Sequence, residues 1–121
     1  LNITSFGFKY GTPSDLDTLF DVRCFKNPYY DPHLKELTGL TQDVRDYVFS
    51  DPNVALFIQK TVDLIRFFYP LYLEEGKHYF SMGIGCTGGK HRSVAIAEEL
   101  ANIFRTSFPL VTVEHRNIDM D

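Results

Sequence analysis

The sequence predicts an α/β fold: one small domain with a mixed sheet of about four strands, helices packed on the sheet, and a strand–loop–helix site for an anion. Three observations predict it. Short apolar runs alternate with amphipathic segments along the chain, as in proteins built from parallel α/β units. A glycine-rich run with three basic residues separates a strand from a helix. The 121 residues fit one domain, and no repeat or linker divides them.

The strands are predicted from short runs rich in β-branched and aromatic residues. They cover residues 3–8, 18–25, 79–85 and 110–113. The connections from the second strand to the third and from the third to the fourth are long enough for right-handed crossovers. The connection from the first strand to the second is too short for one. We therefore expect those two strands to be antiparallel or splayed apart, which makes the predicted sheet mixed.

Three helices are predicted between these strands. Thr41 is placed to cap a short helix that ends at Phe49. Asp51 followed by Pro52 is typical of an N-cap and a first helical position, and apolar residues then recur at helical spacing. Pro70 should end or kink this second helix, because proline lacks an N–H donor and clashes with the preceding turn. A third amphipathic helix covers residues 94–104.

The composition limits the function classes. The formal net charge of −4 argues against a protein that coats nucleic acid, so any site for a polyanion must be local. No apolar run approaches the ~20 residues that span a bilayer, so we expect no membrane partner. Two cysteines are too few for a disulfide framework. These observations favour a reducing, cytoplasmic setting.

The loop of residues 86–93 carries the chemistry. Its glycines let main-chain N–H groups turn inward, and the N-terminus of the following helix adds roughly half a positive charge. Three consecutive basic residues add further charge. A loop whose glycines served only tight packing would not need these basic residues. The loop therefore predicts a cradle for an anion, most simply a phosphate. The candidate anion-binding residues of the loop are Cys86, Thr87, Gly88, Gly89, Lys90, His91, Arg92 and Ser93.

Two nucleotide-binding motifs overlap this loop and fit it less well. Gly83-x-Gly85-x-x-Gly88 matches the dinucleotide fingerprint, with Glu114 as the ribose-binding acid. That fingerprint usually opens a sheet, whereas only one strand follows here. Gly89-Lys90 resembles the end of a P-loop, but Ile84 and His91 stand where its first glycine and its Mg²⁺-binding hydroxyl belong.

The spacing of Cys86 and Arg92 matches the Cys-x5-Arg loop of cysteine-dependent phosphatases. In such a loop a thiolate attacks phosphorus and the arginine binds the phosphoryl oxygens in a bidentate manner. The general acid would be Asp15, Asp17 or Asp31. A phosphatase with Cys86 and Arg92 as its catalytic residues is therefore the alternative to a binding domain.

Two further interpretations stay open at this point. Asp21 and Arg23 lie on one face of the second strand, either as a structural ion pair or with Arg23 on the anion and Asp21 orienting it. His115 would line the site if the last strand lies next to the third. No His or Cys spacing indicates a metal site, and we expect no resident cofactor.

Seven short motifs occur along the chain in the order in which one known family has them. They are Ser5-Phe6-Gly7-Phe8-Lys9-Tyr10-Gly11, Phe20-Asp21-Val22-Arg23, Asn27-Pro28, Asp31-Pro32, Leu37-Thr38-Gly39-Leu40, Gly85-Cys86-Thr87-Gly88-Gly89-Lys90-His91-Arg92-Ser93-Val94 and His115-Arg116. Over about residues 5–116, the chain resembles the C-terminal domain of the RapZ family, which comprises RNase adapters and nucleotide-binding proteins.

The resemblance implies a ligand-sensing regulatory adapter in amino-sugar metabolism rather than a catalyst. In that family an N-terminal P-loop domain binds nucleotide. The C-terminal domain binds a phosphorylated amino sugar or a related metabolite, such as a nucleotide sugar. The resemblance implies that Arg23 and Asn27 close the anion site from the side. Because the chain begins at Leu1 rather than Met, we expect it to be the C-terminal half of such a protein, without the nucleotide-hydrolysing half.

The resemblance also bears on partners, because one family member binds small regulatory RNA and presents it to an endoribonuclease. Here Tyr29 stands where that member has His, and residues 117–121 are acidic where it has a basic tail. Phosphate contacts supply most non-specific RNA affinity. A phosphorylated small molecule is therefore the first partner expected, ahead of a small RNA with an endoribonuclease. The aromatic cluster of Phe67-Phe68-Tyr69 and Tyr72 is predicted to be core or a homo-oligomer contact.

Overall fold

Four strands and three helices form the domain in the computed structural model, which describes residues 1–120. Asp121, the last residue of the predicted acidic end, lies outside this range. The strands are β1 (Asn2–Gly7), β2 (Thr18–Asp21), β3 (Ser81–Cys86) and β4 (Thr112–His115). The helices are α1 (Gln42–Phe49), α2 (Pro52–Glu74) and α3 (Arg92–Phe104).

The sheet has the order β2-β3-β1-β4, and every neighbouring pair of strands is parallel. The prediction of a small α/β domain with about four strands is confirmed, but the sheet is not mixed. β1 and β2 are splayed apart, which is the second of the two arrangements expected, because β3 lies between them.

The connection of residues 8–17 contains only a short 3₁₀ helix, Phe8–Tyr10, and no α-helix. It nevertheless joins β1 to the parallel strand β2, so the expectation that it is too short to cross was wrong. Glycines on β3 explain how it crosses. A Cβ on Gly83 would lie 2.6 Å from a methyl group of Leu16, and a Cβ on Gly85 would lie 2.6 Å from the ring of Phe8. The connection can lie directly on β3 because that face of the strand lacks side chains there.

The carboxyl ends of the strands meet at one edge of the sheet. β1 and β3 pair in register up to Gly7 and Cys86, and Asp21 at the end of β2 pairs with Gly85. The segments that follow β1, β2 and β3 therefore emerge side by side. In open α/β sheets this edge is where ligands bind.

Two helix starts were predicted, and they differ in how they are capped. Asp51 caps α2 as predicted, since its side chain accepts the N–H of Asn53 at 2.9 Å and Pro52 is the first helical residue. Thr41 occupies the N-cap position of α1, but its hydroxyl donates to the carbonyl oxygen of Thr38 at 2.7 Å and caps nothing.

Helix α2 does not end at Pro70 but continues to Glu74. Pro70 is on the exposed side of the helix, where a carbonyl left without its N–H partner can bind water. Tyr69 and Tyr72 on the other side pack against the ring of Phe80, with centroids 6.1 and 5.1 Å away. These contacts hold the last turn in place. No helix within residues 1–120 is both long and apolar enough to cross a membrane.

Helix α3 is the centre of the core. It lies against β1, β3 and β4 and also contacts α1 and α2. Its apolar side chains from Ala95 to Phe104 pack with Ile3, Met82 and Ile84, three fully buried residues of the sheet. The first turn of α3 is buried as well, so this packing fixes the loop that precedes the helix.

Candidate anion-binding site

A cavity of about 510 Å³ lies at the carboxyl edge of the sheet. We call it the Arg92 cavity. Three segments form its walls: the residues after β1, the loop between β2 and α1, and the loop between β3 and α3. Its size suits a small metabolite. The lining residues are Lys9, Asn27, Tyr29, Tyr30, Lys35, Glu36, Cys86, Thr87, Gly88, Lys90, His91 and Arg92.

Close main-chain packing fixes the loop between β3 and α3. A Cβ on Gly7 would lie 2.4 Å from the carbonyl carbon of Gly88, and a Cβ on Gly89 would lie 2.6 Å from the nitrogen of Gly7. Gly89 also has a φ of +78°, which favours glycine. The side chain of Asn117 accepts the N–H of Gly7 at 2.8 Å. Gly89 thus serves packing, whereas Gly88 lines the cavity.

Arg92 is the most constrained cation of the cavity, with an exposed fraction of 3%. Its Nη1 donates to the carbonyl oxygens of Arg23 at 2.8 Å and Phe25 at 3.0 Å. Its Nη2 donates to the Thr87 hydroxyl at 3.3 Å, and its Nε has no partner within residues 1–120. The guanidinium keeps its charge at any ordinary pH. Arg92 is therefore a buried cation whose hydrogen-bond partners are all neutral.

Cys86 and Ser93 are brought together behind the loop. The Cys86 Sγ lies 3.1 Å from the Ser93 hydroxyl and accepts the N–H of Gly89 at 3.3 Å. Both side chains are buried, and only Cys86 lines the cavity. Ser93 therefore contacts a residue that lines the cavity, Cys86, without lining the cavity itself.

His91 and Lys90 connect the loop to the neighbouring wall. The ring Nε2 of buried His91 lies 3.1 Å from the carbonyl oxygen of Lys35. Burial lowers the pKa of His91 below 6.5, and the nearby Lys90 charge lowers this pKa further, against hydrogen bonds to main-chain carbonyls that raise it. The ring is therefore neutral at pH 7, and Nε2 must carry the proton to donate to Lys35. Lys90 lies 3.9 Å from the carboxylate of Glu36.

Of the two residues implied to close the site from the side, only Asn27 lines the cavity. Its side-chain oxygen accepts the N–H of Tyr29 at 3.1 Å. Arg23 instead forms an ion pair with Asp21 at 2.7 Å, and its guanidinium stacks on the ring of Phe8 at 4.1 Å. Hydrogen bonds from Arg23 are the main cause that lowers the pKa of Asp21. The structure thus has the ion pair, and Arg23 reaches the site through its carbonyl oxygen.

Five lining residues were not predicted as site residues. They are Lys9, Tyr29, Tyr30, Lys35 and Glu36. Lys35 lies above the ring of Tyr29, 4.8 Å from its centroid. The rings of Tyr29 and Tyr30 are nearly perpendicular, with centroids 5.6 Å apart. The position of Lys9, just after a strand, was the available signal, because residues that follow parallel strands gather at one edge.

Two other candidates lie away from the Arg92 cavity. β4 pairs with β1 rather than β3, so His115 does not line the cavity. Its ring bonds the hydroxyl of Ser5 at 2.6 Å and the carboxylate of Glu98 at 2.7 Å. Glu114, the acid of the dinucleotide interpretation, accepts from the hydroxyl of Thr4 at 3.2 Å and lines a separate cavity.

Two of the three carboxylates considered as a general acid lie at the amino end of β3, away from Cys86. Asp17 forms an ion pair with Lys77 at 2.8 Å and accepts the N–H of Ser81, the first residue of β3. Asp15 lines the second cavity with Ser81. Cys86 is the last residue of the same strand. Asp31 remains, in the loop beside the cavity. No cluster of metal-ligating side chains occurs within the described residues 1–120.

The fold and the cavity define the class: a small parallel α/β domain with a basic cavity at the carboxyl edge of its sheet. Within this class, the chain belongs to the RapZ C-terminal domain family, whose model matches residues 1–119. The resemblance found in the sequence is thus confirmed. Membership of this family supports a regulatory or adapter domain.

Several curated relatives carry the name nucleotide-binding protein. The one from Heliobacterium modesticaldum is 50% identical over 121 residues, which are 100% of this chain and 40% of the relative. The one from Rubrobacter xylanophilus is 54% identical over 101 residues, 84% of this chain and 33% of the relative. A third, from Bacillus cytotoxicus, is 48% identical over 119 residues, 98% of this chain and 40% of the relative. The chain thus spans about 40% or less of the length of these relatives.

Proposed function

We propose that this domain is the ligand-sensing adapter part of a cytoplasmic RapZ-type protein and that the Arg92 cavity binds the phosphoryl group of a small metabolite. The metabolite class is an amino-sugar phosphate or a related nucleotide sugar. Nucleotide binding, the property in the names of the relatives, would belong to the whole protein. The role of this domain would be to report the metabolite to a partner.

The buried cation with neutral partners is the observation that carries this proposal. Moving a charged group out of water costs several kcal/mol unless an opposite charge compensates it. Within residues 1–120, Arg92 has two carbonyl oxygens and one hydroxyl as hydrogen-bond partners. The carboxylate of Asp21 is near enough to interact with its charge, but it is already paired with Arg23. Its Nε still has a hydrogen to donate. A phosphoryl group would supply both the charge and the acceptor, since guanidinium and phosphate oxygens match in geometry.

The charge of the cavity supports the same ligand. Four basic side chains line it, those of Lys9, Lys35, Lys90 and Arg92. Among residues 1–120 they are accompanied by one carboxylate, that of Glu36, in a chain whose net charge is −4. Helix α3 begins at the cavity, and the side chain of its N-cap residue, His91, does not cap its first turn. The helix dipole therefore adds to the positive potential of the cavity.

The outer part of the cavity suits the remainder of an amino sugar. Tyr30 has an exposed fraction of 81% and offers a ring face to a sugar. The amide nitrogen of Asn27 is free to donate to a hydroxyl, since its oxygen is used by Tyr29. Glu36 would accept from an ammonium group while the phosphoryl group binds Lys90. This arrangement favours a ligand with both a phosphate and an amine.

Isothermal titration calorimetry of the 121-residue chain tests the proposal with glucosamine 6-phosphate, glucosamine and glucose 6-phosphate as probes. We expect glucosamine 6-phosphate to bind at least tenfold more tightly than glucosamine. Glu36→Gln should weaken the binding of glucosamine 6-phosphate and leave the binding of glucose 6-phosphate unchanged. This comparison separates the contribution of the amine to the affinity from that of the phosphate. Equal affinity for the phosphorylated and unphosphorylated sugar would refute the proposal.

RNA binding is a second candidate function, favoured by exposed Tyr30 beside Lys9 and Lys35. Bases stack on exposed aromatic rings, and lysines contact the phosphates. A small RNA bound here would be presented to an endoribonuclease. A gel-shift assay with structured RNA at increasing salt tests this function. A shift that weakens with salt and in Tyr30→Ala supports it, and no shift at low salt refutes it.

A further inference from the structure

Strand β4 ends before its neighbour β1 does. Their pairing ends at Ser5 and His115, and the N–H of Arg116 still donates to the carbonyl oxygen of Ser5 at 2.9 Å. Residues 116–119 then form turns and leave the sheet. Gly7 lies two residues beyond Ser5, so its buried N–H faces the same side of β1. Because β4 has ended there, this N–H needs an acceptor from outside the sheet.

The side chain of Asn117 supplies that acceptor. Its Oδ1 accepts the N–H of Gly7 at 2.8 Å, in a buried hydrogen bond between residues 110 positions apart. Asn117 has an exposed fraction of 6%, so the bond is shielded from water. A buried donor that loses its acceptor keeps the full cost of its desolvation. Asn117 is therefore the residue that holds the end of β1 on this side.

Gly7 and Asn117 together support the loop between β3 and α3 from behind. A Cβ on Gly7 would lie 2.4 Å from the carbonyl carbon of Gly88 and 2.7 Å from the nitrogen of Gly89. A Cβ on Gly89 would lie 2.9 Å from the Cβ of Asn117. The main chain of β1 is thus in direct contact with the loop. Because close-packed atoms leave no gap that could absorb a shift, a displacement of Gly7 must displace the loop as well.

The supported part of the loop faces the Arg92 cavity. Gly88 lines the cavity, and the N–H of Gly89 donates to the Sγ of Cys86, which also lines it. Main-chain groups bind a ligand more tightly when they are already fixed in the bound geometry, because less freedom is then lost on binding. The support behind Gly88 and Gly89 therefore bears on the affinity of the cavity.

We propose that Asn117 is a positioning residue of the Arg92 cavity. Its side chain holds Gly7 and thereby fixes Gly88 and Gly89 in the loop that receives the phosphoryl group. Asn117 does not line the cavity, so it acts through the main chain of these three glycines. The proposal rests on the proposed function for the identity of the ligand, but the position of the loop can be measured without a ligand.

Hydrogen exchange of the free 121-residue chain, followed by NMR, tests the effect on the loop. Asn117→Ala should speed the exchange of the Gly89 amide about tenfold or more relative to the amide of Ile96, which is buried in α3. Val54→Ala is the matched control, because Val54 is fully buried in α2 and its truncation should speed both amides alike.

Two further variants separate the hydrogen bond from the packing of the side chain. Asn117→Asp keeps an acceptor for Gly7 and should leave the exchange of Gly89 close to that of the wild type. Asn117→Leu keeps the volume without the acceptor and should behave as Asn117→Ala does. If Gly89 exchanges relative to Ile96 as in the wild type in both Asn117→Ala and Asn117→Leu, the proposal is overturned.

Calorimetry with glucosamine 6-phosphate tests the effect on binding. Asn117→Ala should weaken binding about tenfold or more, whereas Val54→Ala should leave it unchanged, because a loss of stability alone does not alter the affinity of a chain that remains folded. Wild-type affinity in Asn117→Ala would overturn the proposal. If the wild-type chain does not bind the probe while Gly89 still responds to Asn117→Ala, the proposed function fails and the positioning of the loop by Asn117 stands.

Discussion

The Nη1 of Arg92 donates to the carbonyl oxygen of Arg23 at 2.8 Å, so the two arginines expected at one anion are joined through the main chain. Their guanidinium groups differ in environment. That of Arg92 is buried at the cavity, and that of Arg23 is half-exposed and paired with Asp21. The carbonyl oxygen of Arg23 holds Arg92 in place, and we predict that the Arg23 side chain is not needed for ligand binding.

Because the two guanidinium groups differ in environment, we expect their removal to have different effects on ligand binding. Arg92→Ala should abolish calorimetric binding of glucosamine 6-phosphate, because it removes the buried cation of the cavity. The fold should survive, as seen by circular dichroism. Arg23→Ala is the matched control, since it removes an equal charge from a solvent-exposed ion pair, and such pairs contribute little to stability. Binding that survives Arg92→Ala or is lost in Arg23→Ala would contradict this assignment.

The second prediction concerns pH and His91. Burial lowers the pKa of His91 in the folded chain below 6.5. Below pH 6.5 the unfolded chain therefore binds more protons than the folded one, and the stability falls as the pH drops through this range. We expect urea unfolding to show a larger loss of stability between pH 7.5 and 5.5 for the wild-type chain than for His91→Gln. The same loss in both proteins would exclude His91 as the cause.

The third prediction concerns the contact behind the loop. Gly7→Ala would place a Cβ 2.4 Å from the carbonyl carbon of Gly88, so the main chain must shift. We expect a loss of about 2 kcal/mol or more in the free energy of unfolding, together with weaker binding of glucosamine 6-phosphate. Gly11→Ala is the control. A Cβ there meets no atom within 4 Å, but Gly11 has a φ of +95°. Gly11→Ala should therefore cost about 1–3 kcal/mol through the backbone alone and leave binding unchanged.

The fourth prediction separates binding from catalysis. Asp15 and Asp17 lie at the opposite end of β3 from Cys86, so neither can protonate a leaving group there. Asp31 does not line the cavity, and its carboxylate accepts the N–H of His33. We expect no turnover of p-nitrophenyl phosphate by the wild-type chain. If turnover occurs and Cys86→Ser stops it while Cys24→Ser, at an exposed free cysteine, does not, the domain is a phosphatase.

The local signals in the sequence sufficed for part of this structure. Asp51 and Pro52 mark the start of α2 because capping depends on adjacent residues. The loop could be recognised from Lys90, His91 and Arg92, because these basic residues are adjacent in the sequence. The parallel sheet was missed because the connection after β1 has no α-helix and crosses β3 only where Gly83 and Gly85 allow it.

Two causes explain why some residues of the site were not predicted from the sequence. With an all-parallel sheet, Lys9 after β1 would have been placed beside the loop after β3. Lys35 and Glu36 depend on how the long loop after β2 folds back, which the bonds from Gly39 to Lys90 and from His91 to Lys35 decide. Such contacts between distant segments leave no periodic pattern in a sequence.

The central claim is that a phosphorylated ligand binds at Arg92, and a ¹H–¹⁵N NMR titration with glucosamine 6-phosphate tests it most directly. We predict saturable shifts of the amide signals of residues 87–92 and of the Arg92 Nε–H, which has no partner within residues 1–120. Shifts confined to the second cavity, around Thr4 and Glu114, or no shifts at millimolar ligand, would contradict the claim.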